Sequence, residues 1–363
     1  MRPRTTIIAD DLTGALDAAV QFRTRSEISV TVDLNGAPRS IADVCAHVVP
    51  TRDATEDEAV RLAHAALGHY DGGGRTFKKI DSMLRGHWAM EVLLLASRPG
   101  FDRILLAPAA PRLGRTTRDG MQHGPDGRPV ADIVGALRRR AAPDVVTWSP
   151  GVDLPVRSRI VVCDARTDAD LAELVSRARE LPGRGLWCGS AGLAGALAGG
   201  QPLQHEFAHL RTPRLAIVGT NHPVTAAQLA DVAARSPERI HPLPAGSDTA
   251  PPGDAVHFPD LPPGAETAEI ARRLARLLPN LPEPGCCLVT GGETLQTMCR
   301  LIGATHLAVE GEVDPGVVVS TLHSQLWGET QIVSKSGGFG RASLLSAFLG
   351  CGSAPVRGSP VAG

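Results

Sequence analysis

Short runs of continuous apolar residues alternate along the chain with segments in which apolar residues recur every three or four positions. A continuous apolar run is typical of a buried β-strand, and the longer period is typical of an amphipathic helix. Strands of this kind followed by helices indicate a parallel sheet that helices cover on both faces. The pattern therefore predicts an α/β fold. The clearest predicted strands are TTIIA at 5–9, GLWCG at 185–189, RLAIV at 214–218, CCLVT at 286–290 and QIVSK at 331–335.

Glycine and proline predict how the chain divides. Both residue types occur near the ends of residues 199–213. This segment separates two series of predicted strands and therefore marks a domain boundary. We expect two domains, each a mostly parallel sheet flanked by helices, with the active site in the cleft between them. Ligands of such folds bind at the carboxyl ends of the strands. The predicted bounds are a first domain at 1–203, a linker at 204–213, a second domain at 214–351 and a flexible tail at 352–363.

Two further segments are predicted to be loops. Residues 108–129 hold four arginines and few apolar residues. Residues 241–264 are rich in proline and glycine, as turns are, and we expect them to run over the surface of the second domain.

The composition excludes several classes of function. Among 363 residues, 37 are Lys or Arg and 38 are Asp or Glu, so the net charge of −1 gives no overall attraction to nucleic acid or to an anionic membrane. Aromatic residues make up only 3% of the chain, too few for the stacking platforms of single-strand or RNA binders. The N-terminal apolar run ends at Asp10, too early for a signal peptide, and the seven cysteines form no C-x-x-C pair. We expect reduced thiols and a cytoplasmic enzyme that binds neither nucleic acid nor membrane.

Lysine is rare in this chain. Only three of the 37 basic residues are lysines, namely Lys78, Lys79 and Lys335. An ammonium group is a compact point charge, whereas a guanidinium is a planar fork, so these lysines are candidates for sites that require a point charge. A codon bias that left three lysines by chance is the alternative.

A pair of carboxylates follows the first predicted strand. Asp10 and Asp11 end that strand and lead into a helix through Thr13. Carboxylates at this point can orient a substrate hydroxyl, act as a general base or hold Mg²⁺. One aspartate or Thr13 can instead cap the helix, but capping accounts for only one of the two aspartates.

A second polar cluster, KKIDSMLRG at 78–86, precedes a helical pattern. Lys79, Asp81, Ser82 and Arg85 lie within seven positions beside a glycine. This mixture suits a ligand that carries a carboxylate or phosphate together with hydroxyl groups. The alternative is a solvated loop in which Asp81 or Ser82 caps the helix.

Glycine-containing turns follow three predicted strands of the second domain. GTNHPVT at 219–225, GGET at 291–294 and SKSGGFG at 334–340 can offer backbone N–H groups to phosphate oxygens, aided by the positive end of the next helix. Each turn alone fits ordinary turn geometry, but together they predict a nucleotide site. The chain has neither GxxxxGK[ST] nor GxGxxG, which excludes the usual P-loop and disfavours a dinucleotide-binding domain.

HEFAH at 205–209 matches the H-E-x-x-H pattern of zinc proteases. That mechanism needs both histidines on one face of a stable helix, with a third ligand beyond it. Only about ten residues separate Pro202 from Pro213, which is marginal for a helix. We therefore expect a coincidence within a linker and no metal site.

Taken in order, these motifs resemble the four-carbon acid sugar kinase family, whose members phosphorylate threonate, erythronate or their keto forms with ATP. The sequence differs from the usual family pattern at Ile80, at Met83 and at the Thr-Asn-His of 220–222. The resemblance spans nearly the whole chain. It rests on ADDLTGALD at 9–17, KIDSMLRG at 79–86, APAAPRLGRTTRDG at 107–120, CGSAGLAGAL at 188–197, VGTNHPVTAAQ at 218–228, VTGGETLQ at 289–296, EGEVDPGV at 310–317 and SKSGGFG at 334–340.

The resemblance implies that the first domain binds the acid sugar and the second binds ATP with Mg²⁺, in a cleft that closes. Asp11 or Asp81 would accept the proton of the acceptor hydroxyl, while Lys79 and Arg85 would hold the substrate carboxylate. A homodimer is a further expectation. The other residues implied on the substrate side are Asp10, Thr13 and Ser82. The residues implied to bind ATP are Thr220, Gly291, Gly292, Glu293, Thr294, Lys335, Ser336 and Gly337.

Two other functions remain open at this point. A sensor would bind acid sugars or nucleotides without turnover, but a binder of an anion gains nothing from several carboxylates beside its ligand. An acid-sugar dehydrogenase would need a dinucleotide-binding motif, which the chain lacks. The sequence leaves open which four-carbon acid is used and which hydroxyl is phosphorylated.

Overall fold

Strands and helices alternate through most of the chain in the computed structural model, which describes residues 5–34, 42–71, 74–140, 144–155, 157–242, 254–258 and 267–351. The tail predicted at 352–363 lies outside the described residues. Among the described residues, no helix combines the length and the apolar character needed to cross a membrane. The strands are β1 (Thr5–Ala9), β2 (Val30–Asp33), β3 (Val44–Val48), β4 (Arg75–Lys79), β5 (Arg103–Ala107), β6 (Thr116–Arg118), β7 (Met121–His123), β8 (Pro129–Asp132), β9 (Val145–Trp148), β10 (Ile160–Cys163), β11 (Gly185–Gly189), β12 (Arg214–Val218), β13 (Ile240–Pro242), β14 (Ala255–Phe258), β15 (Cys286–Thr290), β16 (Ala304–Asp314), β17 (Val317–Ser324) and β18 (Gly328–Lys335). The α-helices are α1 (Leu12–Gln21), α2 (Glu56–Ala65), α3 (Trp88–Ala96), α4 (Ile133–Arg139), α5 (Asp168–Glu180), α6 (Ala191–Ala198), α7 (Pro223–Arg235), α8 (Thr267–Leu277), α9 (Gly292–Leu301) and α10 (Leu344–Leu349).

A sheet of fifteen described strands contains two parallel series. In the first half of the chain the spatial order is β2-β3-β1-β4-β11-β5-β10-β9, and every neighbouring pair is parallel. In the second half the order is β13-β14-β12-β15-β18, again parallel throughout. The α/β fold with mostly parallel strands is therefore confirmed, and the two series belong to one large sheet.

The two series join edge to edge through antiparallel strands. β16 pairs with β2, with Leu307 opposite Val32, and β17 pairs with both β16 and β18. The register of β16 against β17 shifts between Val309 and Gly311. Such a bulge bends a strand and increases its twist, which allows one continuous sheet to curve at the junction of its two halves.

Helices cover both faces of the sheet because the buried strand residues alternate between two apolar layers. Ile7 and Ala9 of β1 face one layer, whereas Ile8 faces the other. The first layer continues across both halves beneath α1, α5, α6, α8 and α9. On the opposite face, α2, α3 and α4 cover the first half, and α7 and α10 cover the second. α1 contacts both α6 and α9 and thereby connects the two halves.

The five strand–helix pairs predicted from the apolar pattern are present. β1, β11, β12, β15 and β18 contain the predicted strand residues, and a helix follows each of them. After β18 the chain has no helix or strand until α10 begins at Leu344, beyond the glycines of the turn.

Both segments predicted as loops contain strands, so those predictions were wrong in part. Within 108–129, β6 and β7 form a hairpin, which β8 extends. Asp119 and Gly120 form its turn with φ of 51° and 72°, the positive values that a two-residue Asp-Gly hairpin turn requires. Within 241–264, the described residues 254–258 contain β14, a buried strand beside β12. A short apolar run there forms a strand despite the flanking prolines.

Candidate active site

A cleft of about 1090 Å³ opens where the two halves meet. Residues after the carboxyl ends of strands line it from both sides. In the first half, Ala9 at the end of β1 pairs with Lys79 at the end of β4. In the second half, Thr290 pairs with both Val218 and Lys335. The predicted site residues that line the cleft are Asp10, Asp11, Thr13, Lys79, Asp81, Ser82, Arg85, Thr220, Gly291, Gly292, Glu293, Thr294, Ser336 and Gly337.

Arg52, which follows β3, lies among the predicted substrate-side residues. Its Nε is 2.9 Å from Asp10 Oδ2, and its Nη2 is 2.8 Å from Asp10 Oδ1. Nη2 is also 2.6 Å from Asp11 Oδ1, and Nη1 is 3.9 Å from Asp81 Oδ1. One buried guanidinium therefore holds three carboxylates together. We call the following residues the acceptor cluster: Asp10, Asp11, Thr13, Lys79, Asp81, Ser82 and Arg85.

Asp10 and Asp81 are both held in the charged form. Burial of Asp10 favours its neutral form, but the charges of Arg52 and two lysines outweigh burial and lower its pKa from 3.8. Burial acts in the same way on Asp81, where Arg85 and Arg52 overcome it and lower the pKa well below its usual range. These two carboxylates are poor proton acceptors near neutral pH for that reason.

Asp11 caps α1 and also belongs to the ion-pair network. Its Oδ1 accepts a hydrogen bond from the Gly14 N–H at 2.9 Å, and its Oδ2 accepts one from the Thr13 hydroxyl at 2.6 Å. A Cβ on Gly14 would overlap Asp11 and would lie 3.1 Å from Lys79 Nζ. The glycine thus allows Asp11, Arg52 and Lys79 to come together. The helix-cap alternative raised by the sequence holds for Asp11, together with its ion pair.

Asp81 and Arg85 form a two-pronged ion pair. Arg85 Nε lies 3.0 Å from Asp81 Oδ2, and Arg85 Nη2 lies 3.0 Å from Asp81 Oδ1. The Arg85 side chain is 65% exposed, so part of the guanidinium faces the open cleft. Beside it, Arg115 donates a hydrogen bond to the Ser82 hydroxyl. Two arginines therefore offer cationic groups to a ligand on this side.

The two neighbouring lysines of β4 lie on opposite faces of the sheet. Lys78 Nζ is 3.0 Å from Glu91 Oε2 in a buried ion pair. Lys79 lines the cleft, and its Nζ donates to the carbonyl of Ile80 at 3.1 Å. Lys79 is consequently the member of the pair that is positioned to meet a ligand in the cleft.

The N-terminus of α9 faces the acceptor cluster across the cleft. Gly291 precedes this helix with φ of 101°, and no side chain of the described residues caps it there. A Cβ on Gly292 would lie 3.0 Å from both Asp11 Oδ2 and Thr13 Oγ1. The backbone N–H groups that begin a helix have no partner within it and attract anions. This helix end is suited to a phosphate group that meets the acceptor cluster.

The turns after β12 and β18 pack tightly against each other. A Cβ on Gly337 would lie 2.9 Å from Thr220 Oγ1 and 2.9 Å from His222 Cβ. His222 also caps α7, since its Nδ1 accepts a backbone N–H at 3.2 Å. Ser336 Oγ donates to Thr13 Oγ1 at 3.4 Å, a direct hydrogen bond between the two halves.

Lys335 lies beneath the turn after β18 and is absent from the cleft lining. Its Nζ donates to Thr225 Oγ1 and to the Ser336 carbonyl, both at 3.2 Å. No carboxylate of the described residues forms an ion pair with it, and burial lowers its pKa to about 7. Lys335 thus lies behind the turn and outside the cleft lining, whereas the sequence predicted a direct nucleotide contact.

Five charged residues of the cleft were missed by the sequence reasoning: Asp17, Arg52, Asp53, Glu58 and Arg115. Arg115 and Asp17 lie within segments that carry the family resemblance, so that signal could have found them. Arg52 stands in a stretch without a recognisable motif, and only the tertiary structure brings it to the aspartates.

Residues 205–209 do not form the helix that a zinc protease requires. Phe207–His209 form a short 3₁₀ helix, and the backbone N–H of His205 donates to the carbonyl of Glu312 on β16 at 2.8 Å. Across the described ranges, no group of three or more His, Cys, Asp or Glu residues is arranged to hold a metal ion. The HEFAH segment therefore packs against β16.

Fold and cleft together define a protein of two α/β halves that converge on one charged site. A family model described as a sugar-binding N-terminal domain matches residues 5–134, and one described as a nucleotide-binding C-terminal domain matches residues 254–345. The D-threonate kinase of Cupriavidus necator is 31% identical, over 93% of this chain and 95% of that protein. The chain belongs to the four-carbon acid sugar kinase family, which confirms the resemblance seen in the sequence.

Two further proteins resemble this one over nearly the whole chain. The D-threonate kinase of Bordetella bronchiseptica is 29% identical, over 94% of this chain and 96% of that protein. The crystal structure of a Salmonella typhimurium LT2 protein superposes with a TM-score of 0.68 at 19% identity, covering 95% of this chain and 98% of that one. Its description names a tRNA synthase, and at this identity the likeness establishes the fold alone.

Proposed function

We propose that the protein transfers the γ-phosphoryl group of ATP to a hydroxyl of a four-carbon sugar acid of the threonate, erythronate or 3-oxo-tetronate type. The observation that carries this proposal is the approach of Gly292, at the start of α9, to Asp11 and Thr13 of the acceptor cluster. Phosphate bound at that helix end would lie beside the acceptor hydroxyl. The names of the two D-threonate kinase relatives support the same substrate class.

The acceptor cluster would bind the sugar acid. Arg85 and Arg115 offer guanidinium groups that suit a carboxylate, and Lys79 adds a point charge. Asp10 would accept hydrogen bonds from hydroxyl groups of the acid, and the Ser82 hydroxyl would donate one to them. Arg52 would act indirectly, because its donors are engaged by the carboxylates that it holds in place.

The second half of the chain would bind ATP. Thr220, the GGET residues 291–294 and Gly337 line the cleft where backbone N–H groups and a helix N-terminus can contact phosphates. Lys335 would add its charge from beneath the turn. Phosphoryl transfer depends mainly on alignment and on neutralisation of charge, and these groups would supply both.

The donor chemistry of the cleft fits Mg²⁺. This cation takes one or two carboxylates together with phosphate oxygens and water, so a cluster of three protein ligands is not required. Asp11, whose Oδ2 faces Gly292, is the carboxylate that would hold it with the triphosphate. When bound, Mg²⁺ neutralises charge on the phosphate oxygens.

The sequence prediction that Asp11 or Asp81 accepts the proton of the acceptor hydroxyl stays a prediction. So do the domain bounds, which limited proteolysis would test, and the homodimer, which light scattering would test. Closure of the two halves over the ligands would exclude water that otherwise hydrolyses ATP.

Release of ADP by the purified protein tests the proposal, measured with MgATP and each stereoisomer of threonate, erythronate and 3-oxo-tetronate. We expect turnover with at least one of these acids and none with MgATP alone. MgATP should also raise Tm, because a ligand that binds only the folded state stabilises it, whereas NAD should not. Binding of acid and nucleotide without any turnover would instead identify a sensor, and reduction of NAD would identify a dehydrogenase.

A further inference from the structure

Asp17 is a carboxylate of the cleft that ends the ADDLTGALD segment and that was assigned no role from the sequence. It lies on α1 one turn beyond Thr13 and is half-buried, and it lines the cleft with the acceptor cluster. A Cβ on Gly316, in the turn between β16 and β17, would lie 3.4 Å from Asp17 Oδ1 and would overlap Phe339. Asp17 therefore stands where the two halves of the chain meet.

The carboxylate of Asp17 differs from those of Asp10, Asp11 and Asp81 in having no partner among the described residues. Both oxygens of Asp10 accept from Arg52. Both oxygens of Asp81 accept from Arg85. A carboxylate held by a guanidinium has little affinity for a proton, whereas an unpaired one in the same cleft can take one.

The surroundings of Asp17 favour proton uptake near neutral pH. Burial raises its pKa to about 6, the charge of Lys79 opposes that rise, and the charge of Glu312 adds to it. Arg115 and Asp11 are the other charged groups that act on it, the first lowering and the second raising the pKa. A general base works best with a pKa close to the working pH.

We propose that Asp17 is the general base of the phosphoryl transfer, an inference that rests on the kinase activity proposed above. The acceptor hydroxyl gives its proton to the Asp17 carboxylate while its oxygen forms a bond to the γ-phosphorus of ATP. The bond from that phosphorus to the β,γ-bridging oxygen breaks, and ADP leaves with the electron pair. Asp11 and Asp81 then position the acceptor and the phosphates without taking the proton.

The test compares Asp17→Asn with wild type in kcat, acceptor KM and ATP affinity, with melting curves to verify folding. Asp17→Asn should lose about 10²-fold or more in kcat while it still binds ATP. Asp17→Glu, which keeps the base, should recover part of that loss. The matched control is Asp153, an exposed aspartate that forms an ion pair with Arg177. Asp153→Asn should behave as wild type. If Asp17→Asn fails to fold, Asp17→Ala with added formate as a replacement base gives the same test.

The pH profile separates a base from a merely structural residue. In wild type kcat/KM should fall as pH drops below about 6, because Asp17 becomes protonated there. That limb should disappear in Asp17→Asn and should persist in Asp11→Asn and Asp81→Asn. An active wild type together with Asp17→Asn within threefold of it would overturn the role of Asp17 alone. A wild type that phosphorylates none of the four-carbon acids would overturn the proposed function, and the role of Asp17 with it.

Discussion

The guanidinium of Arg52 binds the carboxylate of Asp10 through two parallel contacts of 2.9 and 2.8 Å. The Arg52 side chain is 8% exposed and that of Asp10 is 2% exposed. A buried, two-pronged pair of this kind fixes the planes of both groups, which a lysine cannot do. Because Arg52 also contacts Asp11, it sets the geometry of the strand-to-helix turn on which the acceptor cluster is built.

Replacing Arg52 by methionine should destabilise the protein strongly. The change leaves the Asp10 carboxylate buried without its partner, and such losses cost about 3–5 kcal/mol. The pKa of Asp10 is lowered in the folded state from 3.8. The stabilisation that its charged form contributes is therefore present above pH 3.8 and is lost as pH falls through the pKa of the folded state. Urea unfolding at several pH values measures this. The deficit of Arg52→Met should be complete at pH 7 and should shrink below pH 3.8.

Arg177, which pairs with Glu173 on a partly exposed helix face, is the control for that experiment. Arg177→Met should change the free energy of unfolding by less than about 1 kcal/mol. Equal effects of the two substitutions would show that Arg52 has no special structural role.

Arg85→Lys should weaken acceptor binding and leave ATP binding nearly unchanged. Lysine keeps the charge but lacks the fork that matches a carboxylate, and loss of such hydrogen bonds costs about 1.5–3 kcal/mol. Acceptor KM should therefore rise roughly ten- to a hundredfold, measured by ADP release. Arg177→Lys is a matched control, because Arg85 and Arg177 both pair with a carboxylate four residues earlier. A change in ATP affinity with constant acceptor KM would contradict the assignment of Arg85.

Gly337→Val should impair ATP binding and spare acceptor binding. A Cβ at this position already lies 2.9 Å from Thr220 Oγ1 and His222 Cβ, so a branched side chain must displace the turn that would contact the phosphates. We expect calorimetry to give a Kd for ATP at least about tenfold higher, equivalent to about 1.4 kcal/mol. Gly68→Ala is the control, since nothing lies within 4 Å of a Cβ there. An unchanged Kd in Gly337→Val would contradict the nucleotide assignment.

Lys78→Met should destabilise the protein and Lys335→Met should not, although both lysines are 1% exposed. Lys78→Met removes the partner of buried Glu91 and should cost about 3–5 kcal/mol. Lys335 has no carboxylate partner among the described residues, so Lys335→Met should leave the protein at least as stable as wild type. It should also weaken ATP binding, because it removes a positive charge from beneath the phosphate turn.

The pH dependence of stability checks the state of Lys335. Its pKa of about 7 in the folded protein lies below the ordinary 10.5, so between these values the unfolded chain binds more protons. Wild-type stability should therefore rise with pH across this window relative to Lys335→Met. Parallel stability curves for the two proteins would indicate that Lys335 is not perturbed.

Local patterns were sufficient to predict the strand–helix units and fourteen of the residues that line the cleft. The turns after β1, β4, β15 and β18 carry dense polar or glycine signals, and parallel pairing brings such turns together at strand ends. Arg52 could not be predicted in this way, because its main partner Asp10 lies 42 positions away and no local signal marks it. The same limit applies to the β2–β16 junction, whose pairing depends on tertiary structure.

Two features that were not predicted, the β6–β7 hairpin and Asp17 of the cleft, are nevertheless indicated by the sequence. The Asp119–Gly120 pair between short strands is a strong hairpin signal, but the arginine content of the segment favoured a loop. Asp17 follows Thr13 at the four-residue spacing that places side chains on one helix face. Its unpaired state, which makes it the candidate base, is a property of the packed structure alone.

Phosphorus NMR of a mixture of protein, MgATP and the preferred four-carbon acid measures direct transfer of the γ-phosphate. The experiment follows the ATP, ADP, inorganic phosphate and phosphate-ester signals over time. If the two substrates meet across Gly292 and Thr13, ADP and a sugar-acid phosphate ester will appear in equal amounts and inorganic phosphate will stay near zero. Consumption of ATP to inorganic phosphate with no ester, or no reaction of any four-carbon acid in a protein that still binds MgATP, would contradict the proposed kinase.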